Sequence, residues 1–69
     1  MDKRRLALQL RAIRVILRVE QPRHNAATLE DFQARARDML DGLEEHVRPF
    51  PDLEDELIEA RREVEAMVP

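Results

Sequence analysis

Apolar positions in the first twenty residues recur at helical spacing on two separate faces. At 100° per residue, Leu6, Leu10, Ile13 and Leu17 form one stripe, and Leu8, Ala12, Val15 and Val19 form a second, with Ile16 bridging them. Lys3, Arg4, Arg11, Arg14 and Arg18 take the opposite strip, whose charge is uniformly positive. Neither Gly nor Pro interrupts the segment before Pro22, which restricts Gln21 and lacks the donor a helix requires. The pattern predicts a helix over residues 3–20. Lys3 and Arg4 oppose the dipole in its first turn, and Asp2 partly offsets them.

A narrower stripe follows at Leu29, Phe32, Ala36, Met39, Leu40, Leu43 and Val47, predicting a second helix over 29–47. Thr28 reads as its N-cap, with Glu30 and Asp31 as favourable first-turn charges. Gly42 projects to the far side and costs about 1 kcal/mol against alanine in an exposed helix interior. The stripe resumes in register beyond it, so the helix is expected to run through. Pro49-Phe50-Pro51 makes the second break, with Phe50 expected to fold back onto the core. A third stripe, Leu53, Leu57, Ala60, Val64 and Met67, predicts a helix over 53–67, with Asp52 as its cap and Ile58 pointing away. The last turn, next to Pro69, is expected to fray.

Three helices joined by two short connectors imply an all-α fold, a small three-helix bundle running up-down-up within one domain over residues 1–69. The second and third helices each need one apolar partner face, and the first helix offers two. Its larger side chains assign Leu6, Leu10, Ile13 and Leu17 to the core. Leu8, Ala12, Val15 and Val19 then either complete a monomeric bundle or meet a second subunit or another protein.

Composition sharpens that choice. At 69 residues with no cysteine, the chain has neither a disulfide nor a cysteine-based metal site to supplement a core near the lower size limit. It must pack well alone or share surface in a dimer. Apolar residues make up 43% and charged residues 39%, which suits a folded helical chain and argues against disorder. Two Phe and no Tyr or Trp leave little for a β-sheet to use.

The net charge of −3 hides an asymmetry. Residues 1–23 carry seven basic and two acidic side chains, a net +5, whereas residues 24–69 carry five basic and thirteen acidic ones, a net −8. Either the basic helix seeks an external anionic or acidic partner, or it lies along the acidic helices of its own bundle. The second reading needs nothing outside the chain and is preferred.

Candidate chemistry is sparse. Lys3, Arg4, Arg11, Arg14 and Arg18 suit phosphates or an acidic partner, but no Asn, Ser or Thr accompanies them to read base edges, and no aromatic residue to stack on bases. Nucleic-acid binding is therefore the alternative rather than the leading reading. The arginines interrupt any membrane span, and the missing interfacial aromatics disfavour binding to a membrane surface. The basic start, Met1 to Arg5, is followed by too much charge for a signal peptide, so the cytoplasm is the expected location. His24 and His46 have no dense ligand pattern around them, the chain contains no Ser or Cys, and no glycine-rich loop is present. The expectation is a non-enzymatic protein–protein interaction module without a cofactor. It would act as a small regulator or inhibitor, or as a structural subunit, using Leu8, Ala12, Val15 and Val19 against another protein or a second copy of itself.

Overall fold

The computed structural model describes residues 2–68 and consists of three helices packed side by side: α1 (Lys3–Glu20), α2 (Ala26–Val47) and α3 (Pro51–Glu65). A short 3-10 turn, Gln21–Arg23, follows α1, and the described residues contain no strand. Lys3 at the start of α1 meets Asp52 at the start of α3, while Arg37 of α2 meets Glu65 and Asp41 meets Arg61. The first and third helices therefore run parallel, with α2 antiparallel to both. This is a small all-helical three-helix bundle.

Local chemistry sets where each helix starts. Asp2 caps α1 by accepting a hydrogen bond from the Arg5 backbone N–H at 2.8 Å. The second helix begins at Ala26, earlier than the apolar stripe suggests, because Asn25 rather than Thr28 is its N-cap. Asn25 Oδ1 accepts from the backbone N–H groups of Ala27 and Thr28, and the Thr28 hydroxyl accepts from the Asn25 N–H at 3.2 Å. This reciprocal capping box satisfies donors that would otherwise be orphaned. The third helix also starts early, at Pro51, whose missing N–H removes one orphan donor. Phe50 holds the N-cap position, and Asp52 lies in the first turn instead of capping it.

The third helix ends at Glu65, short of Met67. Gln33 of α2 reaches across and donates from Nε2 to the Val64 carbonyl at 2.9 Å, satisfying an acceptor in that last turn. Met67 remains buried beyond the helix end. The last turn, expected to fray, gives up its α-helical pattern after Glu65, where the Ala66 and Met67 N–H groups bond the Arg62 and Val64 carbonyls; only Pro69 lies outside the described residues at this end.

The core follows the three stripes. Leu6, Leu10, Ile13 and Leu17 of α1 pack with Leu29, Ala36, Leu40, Leu43 and Val47 of α2 and with Leu53, Leu57, Ala60 and Val64 of α3. Phe32 and Phe50 lean on this cluster from its edges. Met39 departs from expectation. It is 45% exposed, because it lines the open groove between α1 and α2 instead of the core. Gly42 is helical and α2 passes through it without a break. The α2/α3 seam is the most extensive and the α1/α2 seam the thinnest, so the bundle is closed on one side of α1 and open on the other.

Candidate functional site

The second stripe of α1 faces outward. Leu8 is 58% exposed, Val15 53% and Val19 51%, with Ala12 also exposed and Ile16 at its edge. These residues step by four, three and four positions, the spacing of an a/d seam in a coiled coil. Beside the stripe, α1 and α2 leave an open groove of about 470 Å³. Its floor is Ile13 and Leu43, the two most exposed members of the core at 8% each. Ala12, Gln9, Met39 and Gly42 form its walls, with Asp38 on the rim. A Cβ added at Gly42 would meet nothing within 4 Å. Glycine there carries its helix cost of about 1 kcal/mol with no close intramolecular neighbour to account for it.

The other flank of α1 is sealed by charge. Arg14 donates to Glu63 Oε1 at 3.0 Å and lies 3.7 Å from Glu56, and Arg18 donates to the same Glu63 oxygen at 2.9 Å. Lys3 pairs with Asp52 at 3.1 Å and sits over the Phe50 ring. The charge asymmetry of the sequence is thus largely internal, with three of the five candidate basic residues turned towards α3. Arg4 and Arg11 form no salt bridge among the described residues, and neither does Arg5 on the opposite edge of the outer stripe.

These pairs set the response to acid. The hydrogen bond from Arg14 holds the Glu63 carboxyl below its ordinary 4.5, outweighing the opposing effect of burial. The Arg37 bond does the same for Glu65, and the Lys3 bond lowers Asp52. A carboxylate with a depressed folded pKa contributes its stabilisation in full above the unfolded value and loses it as pH falls through the folded value. The thermal midpoint should therefore be level near neutrality and decline from about pH 5 downward. Circular dichroism melts across that range test this. Glu63→Gln should melt lower at neutral pH and show a shallower acid decline. An unchanged slope would show that Glu63 takes no part in the acid response.

The two histidines lie apart, in different settings. His24 stacks on Phe32 with ring centroids 4.5 Å apart and shares a hydrogen bond with Thr28 at 3.1 Å, while His46 is exposed. Among the described residues no group of three His, Cys, Asp or Glu is placed to hold a metal ion. A smaller pocket of about 220 Å³ lies where Leu17 and Arg18 meet Glu63 and Met67, and its charged groups are already bonded to each other. No helix among the described residues is long and apolar enough to cross a membrane.

The groove depends on the distance between two helices, which no local spacing encodes. Comparison with known proteins finds no matching family, no matching curated protein and no matching solved structure.

Proposed function

We propose that the chain is a non-catalytic interaction module that binds another protein through the outer face of α1, as a small regulator, an inhibitor or a subunit of a larger assembly. The observation that carries this reading is the contiguous exposure of Leu8, Ala12, Val15, Ile16 and Val19 on one helix face. Isolated exposed apolar residues are ordinary, but a continuous stripe beside a groove is a feature of association surfaces. The same face would serve a second copy of the chain. Nucleic acid is less well served, because Lys3, Arg14 and Arg18 are turned towards α3 carboxylates and the surface left beside Arg4 and Arg11 is apolar.

The test compares the native chain with Leu8→Asp/Val15→Asp in pull-downs from native extract, alongside light scattering across micromolar concentrations. Both positions are exposed, so the variant should keep its helical signal. The reading expects a protein captured by the native chain and lost with the variant, or a concentration-dependent dimer lost with the variant. Identical capture by both, with a strict monomer throughout, would overturn it.

A further inference from the structure

Resting on that reading, the geometry points to the class of partner: an amphipathic helix of another protein, apolar on one face and acidic along its edge, lying along α1 over the α1/α2 groove.

The shape argument starts from the seam. Leu8, Ala12, Val15 and Val19 present an a/d pattern that a single helix can mesh with. From Leu8 to Val19 the stripe spans about 17 Å at about 1.5 Å per residue, so the matching segment is about three turns long. Beside the stripe the surface is concave, with Ala12 and Gly42 as small walls over Ile13 and Leu43. Small residues let a helix backbone approach closely, and Gly42 has open space where its neighbour within the chain would otherwise be. A flat membrane surface would leave such a groove unfilled.

The charge argument selects the occupant. Arg4, Arg11 and Arg18 form a row at seven-residue spacing along one edge of the stripe, and Arg5 stands at the other edge. Only Arg18 of these four has a carboxylate partner among the described residues. On α2, Arg35 lies one turn before Met39 and likewise has no salt bridge there. Arg4, Arg11 and Arg5 thus edge the stripe without a carboxylate partner among the described residues, while on the α2 side of the groove the rim carries the carboxylate of Asp38. A second copy answers this poorly. An antiparallel α1–α1 pair sets each arginine row against its own copy, and a parallel pair brings the two Lys3-Arg4-Arg5 turns together. Glutamates or aspartates flanking the apolar face of a different helix would meet the row with opposite sign.

Two designed peptides of four heptads supply the test, both with leucine at a and d. One carries glutamate and the other lysine at e and g. Binding is read by fluorescence anisotropy of the labelled peptide. The glutamate peptide is expected to bind the native chain roughly tenfold more tightly than the lysine peptide, equivalent to a couple of rim charge pairs, and to weaken as salt rises. Arg4→Glu/Arg11→Glu should reverse the preference. Gly42→Ala should weaken binding of the glutamate peptide while leaving the fold intact, since the added Cβ meets open space in the free protein.

Equal binding of the two peptides would overturn the inference. So would a glutamate peptide that fails to bind while the chain dimerises through Val15, or while it binds anionic vesicles or duplex DNA. If the peptide fails but extract capture still depends on Leu8 and Val15, the acidic-helix assignment falls and the docking reading stands. If both fail, both fall.

Discussion

Leu10→Ala should lower the stability of the chain by about 2–5 kcal/mol, the range for deleting a fully buried leucine side chain. Leu10 has no exposed surface and sits at the centre of the α1 core stripe, between Leu6 and Ile13. Stability for a chain of this length is on the order of 3–10 kcal/mol. The loss is therefore a large fraction of the whole, and it is measured by urea titration followed by circular dichroism. Val15→Ala is the matched comparison on the same helix. With half its surface already in water, it should change stability by no more than about 0.5 kcal/mol. Comparable large losses at both positions would show that the outer stripe is buried in solution, by a rearranged bundle or by a second copy.

The second large effect comes from adding volume instead of removing it. Ala60 of α3 is fully buried, and Ala36 of α2 is 1% exposed. These small side chains bring the backbones of the bundle close together. Ala60→Leu forces three further carbons into filled space and should destabilise by about 1–3 kcal/mol. Gly42→Ala adds one carbon at a helical position and is expected to hold or raise stability, because nothing within the chain lies within 4 Å of that Cβ. Chemical denaturation of the two variants in parallel tests the contrast. A destabilisation at Gly42 equal to that at Ala60 would mean that the α1/α2 groove is closed in solution.

The two stripes of α1 were legible in the sequence because a helix converts spacing directly into direction. Leu6, Leu10, Ile13 and Leu17 are buried as that spacing requires, while Leu8, Ala12, Val15 and Val19 face outward. Helix starts were less legible, since several residues compete for each cap. Thr28 has the right chemistry for an N-cap, but Asn25 has it too and is followed by two alanines that extend the helix. Asp52 lost the corresponding position because Pro51 already suits the first helical residue. Pairing was not legible at all. That Arg14 and Arg18 share Glu63 depends on how α1 and α3 slide past each other, and no local pattern encodes that offset. Met39 shows the same limit from the apolar side, for its spacing fits the core while the open groove between α1 and α2 leaves it in solvent.

The α2/α3 seam, the broadest in the bundle, also joins the two helices nearest each other along the chain, across Arg48–Phe50. Closing so short a connector forfeits little chain entropy, so this hairpin can assemble early and offer α1 a ready surface. Bundles dominated by such local contacts fold in microseconds to milliseconds. In that order α1, although first along the chain, is the last helix to find its place, and its docking buries Leu6, Leu10, Ile13 and Leu17 together.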